Sequence, residues 1–496
     1  MALGIFLALL LIIFTLIVFW IRKRYSKLEE LGFLHENPEF PFGNVKGIGK
    51  KYHLVDILRR TYNKFSKKSP AHGLYMFFSP NIVVTDLDVI KDILIKDFET
   101  FHNRGVFSSK EHDPLTAHLF TLEDQEWRNL RHKLTPTFTS GKMKMMFHTV
   151  LDVSNHMLNK LKSNADLENV EIKTVLADFM TDVIGNVAFG LEMNAIEDPD
   201  SKFRQTTKKV FLAQNFFAKV LLLTTFRNIA RKLGLKLLPT DITDFFRGIV
   251  KETVEYRREN KVERNDVLNL LMKIGTEGRE GEEELTIDEI AAQCFIFFIA
   301  GHETSSSATT YALYKLALHM ELQDKLRNEI KSVLAKHENK VTYEAMLEMK
   351  YLDMVVNETL RMYPPAPLAA RQASKNYKIS NSNLEIQKGS LVFVPIFIIH
   401  NDSTYYPEPE KFDPERFSAE NKAMRHPMAH MPFGDGPRSC IGNRFGLMQT
   451  KIALIQLLTN FKVSKTSKTP ETIIFNPRAP ILQPIEDVVL KLEQLY

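Results

Sequence analysis

The sequence predicts a mainly α-helical fold with a minor β-sheet, joined to an N-terminal transmembrane helix. Residues 2–21 carry no charged side chain. Apolar residues recur at three-to-four spacing through much of residues 147–271 and 290–318, which is the period of an amphipathic helix. Strand-like runs are few and short, near residues 73–85 and 391–399. Helix therefore dominates the predicted fold.

The uncharged N-terminal run is interpreted as a membrane anchor, because roughly 20 apolar residues at helical rise span the hydrocarbon layer of a bilayer. A cleaved secretory signal is the alternative, but it would have a shorter apolar stretch, preceding positive charge and small residues at a cleavage site. Here Trp20 is followed by Arg22, Lys23 and Arg24, which favour the cytoplasmic side. We expect residues 1–22 to anchor a domain facing the cytosol, where thiols stay reduced.

A basic and proline-rich connector is predicted over residues 23–45. Pro38 and Pro41 cannot continue a helix, because proline lacks an amide donor and restricts the residue before it. Beyond the connector there is no long Gly/Ser linker and no repeat, and the most polar interruption, residues 278–284, is short enough to be a surface loop. Residues 46–496 are therefore predicted to form a single catalytic domain.

Composition narrows the range of functions. Hydrophobic residues make up 44% and charged residues 25% of the 496 residues, which is ordinary for a chain that folds in water. The net charge of +5 comes without a clustered basic stripe, so we expect no nucleic-acid partner.

Two segments have more than one interpretation. Residues 211–238 mix apolar and basic side chains, which suits either a membrane surface or an amphipathic core helix. Pro395 lies inside the second strand-like run and leaves its pairing open.

The strongest chemical signal is the glycine-rich segment FGDGPRSCIG, residues 433–442. Its backbone amides can keep the Cys440 sulfur as a thiolate, and Arg438 can pair with an anionic cofactor group. The other cysteine, Cys294, lies in an apolar run and is interpreted as a small buried hydrophobe. A structural zinc site would need three further ligands nearby, and there is no second cysteine at short spacing. One thiolate with arginines suits haem, whose porphyrin supplies four nitrogens and two propionates.

At every fixed position, residues 433–442 resemble the F-x-x-G-x-R-x-C-x-G haem-binding signature of the cytochrome P450 family. Three further elements of that family follow the expected order upstream, so the resemblance covers the whole chain. It implies a cytochrome P450-like fold and haem b, with Cys440 as the iron ligand and Phe433, Arg438 and Gly442 around the cofactor. The implied activity is that of a haem-thiolate monooxygenase, which inserts one oxygen atom from O2 into an apolar small molecule.

The first upstream element, Ala300-Gly301-His302-Glu303-Thr304-Ser305, resembles the oxygen-activating motif of the family. Thr286 and Glu289 form a capping-box pattern, so a helix beginning there would reach Thr304 after about five turns. Ala300 leaves space above the iron by this resemblance. An adjacent acid and alcohol, Glu303 and Thr304, can relay protons through ordered water.

The second element is Glu358-Thr359-Leu360-Arg361, whose acid and base lie at i and i+3 on one helix face and can pair. By resemblance, Arg416 joins Glu358 and Arg361 in a buried structural network.

The third element is Trp127 with Arg131, spaced i and i+4, where an indole and a guanidinium share a helix face and could bind propionates. Core packing is the alternative for Trp127. The resemblance adds Arg371 and Arg438 to the propionate-binding group.

The substrate is the least defined feature. By resemblance the pocket is apolar and draws on Phe107, Leu119, Phe120, Phe297, Phe298, Ala366 and Leu368. Asp182, residues 188–190 and residues 442–446 resemble the insect microsomal branch that detoxifies plant compounds and insecticides. Oxidation of an endogenous lipid or hormone is the alternative.

Electrons must come from a partner, because the chain lacks a flavin domain and a G-x-G-x-x-G fingerprint after a strand. The resemblance implies NADPH–cytochrome P450 reductase, docked near the basic side chains Arg128 and Lys133, with cytochrome b5 as an optional second donor, at the endoplasmic reticulum membrane. Two rival functions are a haem-thiolate isomerase or dehydratase, which Glu303 and Thr304 disfavour, and a non-catalytic haem- or ligand-binding protein.

Overall fold

The computed structural model describes residues 2–198, 200–212, 216–264, 266–274 and 284–495. Helices make up most of this part of the chain, as predicted. Their bounds are α1 Ala2–Tyr25, α2 Lys27–Glu30, α3 Leu54–Phe65, α4 Leu87–Lys91, α5 Asp124–Leu134, α6 Ser140–Ser163, α7 Ile172–Ile184, α8 Lys202–Leu212, α9 Phe216–Thr225, α10 Arg227–Lys232, α11 Thr240–Asn260, α12 Val267–Lys273, α13 Ile287–Leu318, α14 Met320–Lys336, α15 Tyr343–Glu348, α16 Lys350–Met362, α17 Ile396–His400, α18 Ala419–Ala423 and α19 Asn443–Asn460.

The strands form small sheets, which confirms the minor β content. Their bounds are β1 Ala71–Met76, β2 Ser79–Val84, β3 Val170–Glu171, β4 Ala369–Gln372, β5 Tyr377–Lys378, β6 Glu385–Ile386, β7 Leu391–Val394, β8 Phe461–Lys465 and β9 Val489–Gln494. The largest sheet has the order β1-β2-β7-β4, and the others are β3-β9-β8 and β5-β6. In the largest sheet β2 and β7 are parallel, and Arg371 on β4 lies opposite Val392 on β7.

The second strand-like run is shorter than predicted. Strand β7 ends at Val394, Pro395 is the N-cap of α17, and the residues from Ile396 to His400 are helical. Proline cannot donate to a ladder but is tolerated where a helix starts, because amides there have no intrahelical partner. The prediction of a strand through residue 399 is therefore wrong after Val394.

Helix α1 is long and apolar enough to cross a membrane over Ile5–Tyr25, and the apolar residues of this stretch are not buried against the domain. It continues three residues past the predicted end at residue 22. Its last turns pack on the β1–β2 hairpin, where the rings of Trp20 and Tyr25 lie 5.6 and 5.8 Å from that of Phe78. The Tyr75 hydroxyl donates to the Tyr25 carbonyl at 2.8 Å. The apolar N-terminal helix is thus fixed to the domain that follows it.

The segment from 211 to 238 has a buried side, as an amphipathic core helix would, and an exposed apolar side, and its contact with a membrane stays a prediction. Residues 213–215 lie outside the described part of the chain. In α9, Phe217 and Leu221 are buried in the core, whereas Leu222, Ile229 in α10 and Leu233 are 45%, 58% and 67% exposed. One side therefore packs inward and the other presents an apolar surface. The polar interruption at 278–284 also lies outside the described residues, apart from its last residue.

Helix α13 runs through the core and packs on α7, α11, α16 and α19. It begins as predicted, because Thr286 and Glu289 form a reciprocal capping box. The Glu289 amide donates to the Thr286 hydroxyl at 3.2 Å and the Thr286 amide to the Glu289 carboxylate at 2.9 Å. Gly301 lets α7 approach closely, since a Cβ there would lie 2.5 Å from Ile184. These contacts fix the position of α13, the helix that carries the predicted acid and alcohol.

Candidate functional site

The loop before α19 presents the Cys440 thiol. The Cys440 amide donates to the Phe433 carbonyl at 2.9 Å, and the Gly442 amide donates to the sulfur. Gly434 and Gly436 have φ of +67° and +71°, a region that favours glycine. Gly436 also lies directly against the Leu94 carbonyl, where any side chain would collide. The glycines therefore allow the tight path that exposes the sulfur.

The two cysteines have different environments. Cys440 is exposed, whereas Cys294 is completely buried in α13. Although Cys440 is solvent-accessible, the protein atoms packed around its thiol raise its pKa above the ordinary value, and the Gly442 amide and the charges of Arg131 and Arg104 offset part of that rise. Burial, together with the charge of Asp266, strongly raises the pKa of Cys294, against a smaller opposing effect of Arg257. Only Cys440 has an accessible sulfur beside positive charge, which are the properties of a metal-binding thiolate.

Four guanidinium groups gather near Cys440, and we call Arg104, Arg131, Arg371 and Arg438 the arginine cluster. Burial and the charges of the other three lower the pKa of Arg104 well below its ordinary value. Burial likewise lowers the pKa of Arg371 to about 10 and, together with neighbouring arginines, that of Arg438 to about 9. The Arg371 Nε atom is buried and has no hydrogen-bond partner among the described residues. Like charges at this density indicate an anion-binding site.

Nearby carboxylates do not neutralise the arginine cluster. Glu123 and Asp124 influence the pKa of Arg438, yet Glu123 pairs with Arg227 at 2.7 Å and Asp124 with His102 at 2.7 Å. A ligand with carboxylate groups could therefore take up several charge-assisted hydrogen bonds here.

Contacts to main-chain carbonyls position the members of the cluster. Arg438 donates to the His102 carbonyl at 2.7 Å and stacks on Trp127, with 3.8 Å from guanidinium carbon to ring centroid. Arg131 donates to the Ser439 carbonyl at 3.0 Å. Trp127 is 3% exposed, so it packs in the core and also supports Arg438. The predicted group of Trp127, Arg131, Arg371 and Arg438 is thus assembled in space.

Arg104 belongs to this group but was not predicted. It lies in an irregular loop before Gly105 and donates to the carbonyls of Phe120 and Arg438, each at 2.9 Å. Its guanidinium also lies 4.2 Å from the centroid of the Phe120 ring. A single arginine in a loop has no periodicity or partner spacing in the sequence, so only the folded chain reveals it.

On α13, the predicted acid and alcohol point to different neighbours. Ala300 is exposed although its helix crosses the core, and the Thr304 hydroxyl donates to its carbonyl at 2.6 Å. Glu303 is instead 4% exposed and contacts Lys173 in α7. Burial raises the pKa of Glu303, but Lys173 and the other polar groups around its carboxylate together lower it more, so it ends below its ordinary value. Lys173 was not predicted, because it lies 130 residues away in sequence.

The structure does not bring all the predicted pocket residues to one surface. Phe297 is three positions before Ala300, on the same face of α13, and packs 6.0 Å from Phe138. Phe298 is completely buried and lies 6.2 Å from Phe189 on another face, stacked on His302. It is two positions from Ala300, which is about 200° around a helix. We correct its assignment from pocket wall to core.

The other predicted pocket residues differ in exposure. Phe107 is 1% exposed in a small cluster with Leu223, and Leu119 is also buried. Phe120 is 45% exposed, Ala366 is exposed, and Leu368 is partly buried against the core.

The predicted buried network is present. Arg361 donates to Glu358 at 2.7 and 2.9 Å, and both side chains are completely buried. Arg361 also donates to the carbonyls of His400 at 2.9 Å and Pro409 at 2.7 Å. The Arg416 Nε atom lies 3.6 Å from the Glu358 carboxylate. The network joins α16 to the chain that leads into the Cys440 loop, which suits a structural role.

Buried histidines predict a loss of stability in mild acid. Burial lowers the pKa of His72 and His302 to about 4, and of His118 and His400 to about 3. Unfolded histidines titrate near pH 6.5. Below that pH the unfolded chain binds protons that the folded chain does not, so the free energy of unfolding should fall by roughly 1.4 kcal/mol per pH unit for each histidine.

Denaturant midpoints measured between about pH 7 and 5 should show this slope. In a His72→Leu variant, the free energy of unfolding should change less steeply with pH, because the contribution of one histidine is removed. A midpoint independent of pH over this range would contradict the assignment of neutral buried rings.

Comparisons with known proteins agree with this geometry. The family model described as Cytochrome P450 matches residues 36–492. The protein named "Probable cytochrome P450 6a14" of Drosophila melanogaster is 45% identical over 489 residues, which cover 95% of this chain and 96% of that protein. "Cytochrome P450 6A1" of Musca domestica is 40% identical over 489 residues, with 97% and 96% covered. "Cytochrome P450 6a2" of Drosophila melanogaster is 39% identical over 501 residues, with 98% and 99% covered.

Proposed function

From the premise that the chain belongs to the cytochrome P450 family, and is therefore a haem-containing monooxygenase, we propose that it oxidises apolar small molecules with electrons from NADPH–cytochrome P450 reductase. The observation that carries the proposal is the accessible Cys440 sulfur beside the arginine cluster. A thiolate ligand and two propionates are what these groups would bind.

The residues present fit haem b. Cys440 would ligate the iron, and the arginine cluster would hold the propionates, because the buried Arg371 Nε atom lacks a partner among the described residues. When bound, thiolate-ligated haem supplies the oxygen chemistry, since the thiolate favours O–O cleavage. Phe433 and Gly442 shape the loop around the sulfur.

Arg104→Gln is expected to accelerate haem loss by about tenfold or more, because a charge-assisted hydrogen bond contributes roughly 1.5–3 kcal/mol. Transfer of haem to an apo-myoglobin acceptor measures this rate. The matched control is Arg128→Gln, which removes a surface arginine paired with Glu99 at 2.6 Å. Equal rates of haem loss from the wild type and from Arg104→Gln would show that Arg104 does not hold the cofactor.

The chain's own groups would move protons on α13. The Thr304 hydroxyl holds a proton directed at the Ala300 carbonyl, and Glu303 is the nearest acid in sequence. A positioned acid and alcohol can transfer protons directly or through water. We therefore assign Glu303 and Thr304 to proton delivery, with no side chain acting on the substrate itself.

We propose that the substrates are apolar xenobiotics, such as plant compounds or insecticides. We assign the apolar lining of the pocket to Phe120, Phe297, Leu119, Ala366, Leu368 and Phe107, of which Phe120 and Ala366 are exposed. The likeness to housefly and fruit-fly proteins supports the insect branch. A screen of apolar compounds for NADPH-dependent oxidation, in vesicles with reductase, tests this. Selective oxidation of endogenous lipids or hormones instead would contradict it.

The same assay separates rival functions. A haem-thiolate isomerase or dehydratase would convert substrate without consuming oxygen and NADPH, and a non-catalytic haem protein would convert nothing.

The basic surface of α5 is our proposed reductase site. Arg128 is partly exposed there and Lys133 follows in the last turn. Charge reversal of both should slow reductase-supported turnover at least about tenfold while sparing peroxide-driven turnover, because complementary charge mainly raises association rates. Lys251→Glu on α11, which packs on α13, is the matched control. Equal loss of both activities would contradict docking, and the assay with cytochrome b5 added tests its contribution.

We also propose an endoplasmic reticulum membrane location with the domain facing the cytosol. The apolar helix α1 ends in Arg22, Lys23 and Arg24, and the exposed apolar side chains of Ile229 and Leu233 suit contact with membrane lipid.

A further inference from the structure

The Glu303 carboxylate is held by groups from distant parts of the chain. The Lys173 ammonium, in the first turn of α7, contacts it and also donates to the Ser307 hydroxyl at 3.1 Å. Ser307 in turn donates to Glu303 at 3.2 Å. The polar side chain of Gln483, in the segment between β8 and β9, lies near enough to the same carboxylate to lower its pKa. Three segments therefore meet at one acid.

Lys173 is the cation of this cluster. The Lys173 and Glu303 side chains are 19% and 6% exposed. His302 lies 3.7 Å from the carboxylate, but burial keeps its ring neutral by lowering its pKa to about 4. A buried carboxylate that lost this cation would be protonated or would reorient, because an uncompensated charge is costly away from water.

The holding groups also set the direction of the carboxylate. Glu303 and Thr304 are neighbours on α13 and so lie about 100° apart around its axis. The carboxylate is turned to α7, while the Thr304 hydroxyl donates to the Ala300 carbonyl. Proton transfer between them therefore depends on how Glu303 is held.

We propose that Lys173 and Gln483 are positioning residues for Glu303, and that together they set the charge and direction of the carboxylate that supplies protons to the Thr304 side of α13. The inference rests on the proposed monooxygenase function. It adds two residues that touch neither the cofactor loop nor the arginine cluster.

Gln483 further connects this acid to the substrate side. Its neighbour Leu482 donates its amide to the Pro365 carbonyl at 3.0 Å, next to Ala366, and accepts from the Tyr311 hydroxyl at 2.9 Å. These two hydrogen bonds fix the backbone next to Gln483 between α13 and the segment that carries Ala366.

The test compares Lys173→Met, Lys173→Arg and Gln483→Leu in the full-length holoenzyme with reductase. Lys173→Met should lower product formed per NADPH by roughly threefold or more, with the difference released as hydrogen peroxide. Lys173→Arg should restore most of the yield, because arginine keeps the charge, and Gln483→Leu should give a smaller loss. Peroxide-driven turnover and the reduced carbon-monoxide spectrum should not change. Wild-type coupling in Lys173→Met, or equal loss in Met and Arg variants, would overturn the proposal.

Arg204→Met is the matched control, because Arg204 pairs at 2.6 Å with Asp178 on the same helix α7, and the Arg204 side chain is 13% exposed, close to the 19% of Lys173. It should leave product per NADPH at the wild-type value. A drop equal to that of Lys173→Met would mean that any disturbance of α7 uncouples the enzyme, and would overturn the specific role of Lys173.

A thermodynamic cycle tests the contact without turnover. Lys173→Met should lower the melting temperature, and adding Glu303→Gln should recover most of the loss, since it removes the buried charge. Additive losses would overturn the pairing. If the wild type oxidised nothing with NADPH, the proposed function would fail while this cycle still reported on the contact.

Discussion

Cys440→Ser is expected to abolish the thiolate-type reduced carbon-monoxide spectrum and all NADPH-dependent oxidation. A serine hydroxyl has a far higher pKa than a thiol and is not a soft ligand, so it cannot replace the sulfur that the Gly442 amide and the arginine charges support. Serine is nearly isosteric with cysteine, so the loop between Phe433 and Gly442 should keep its fold. Difference spectroscopy and a turnover assay measure the two effects.

Cys294→Ala is the matched control. Cys294 is completely buried in α13 and its pKa is strongly raised, so its removal should change neither the spectrum nor turnover. If Cys440→Ser kept the thiolate spectrum, or if Cys294→Ala lost it, the assignment of Cys440 as the iron ligand would be wrong.

Arg361→Ala should prevent accumulation of folded protein. Removing one partner of a buried ion pair costs roughly 3–5 kcal/mol, and typical domains have only about 5–15 kcal/mol of stability. Here the loss would also leave the carbonyls of His400 and Pro409 without their donor. Soluble yield and urea midpoint measure the effect, and Arg361→Lys should rescue little, because lysine cannot form the two-point contact with Glu358.

Lys325→Ala provides the comparison, since Lys325 pairs with Glu415 at 2.6 Å on the surface, with both side chains about half exposed. Exposed pairs contribute roughly 0–1 kcal/mol, so its midpoint should stay near that of the wild type. Similar midpoints for Arg361→Ala and Lys325→Ala would show that the buried network contributes little.

The features that sequence reasoning predicted well depend on residues close together in the chain. The Cys440 loop, the Thr286 capping box and the Glu358–Arg361 pair each lie within ten residues, so spacing alone specifies their geometry. The N-terminal apolar helix is likewise predicted from its uninterrupted apolar run.

The features that were missed depend on the packing of distant segments. Arg104 and Lys173 reach the site only after loops and helices have packed, and no local pattern marks either residue. The orientation of Phe298 was misjudged because the apolar run around it supports burial on every face of α13. Pro395 ended a strand that composition alone would have extended.

The contact between α1 and the β1–β2 hairpin sets the angle between the apolar N-terminal helix and the domain that follows it. The Tyr75 hydroxyl donates to the Tyr25 carbonyl and accepts from the Leu28 amide, so the chain leaving the anchor cannot swivel freely. Orientation is the main restriction on association rates between two specific patches. If α1 spans the same bilayer as the proposed electron donor, a domain held at a set angle would search for that donor in two dimensions with its rotational freedom already reduced, and we expect lateral diffusion to limit their encounter.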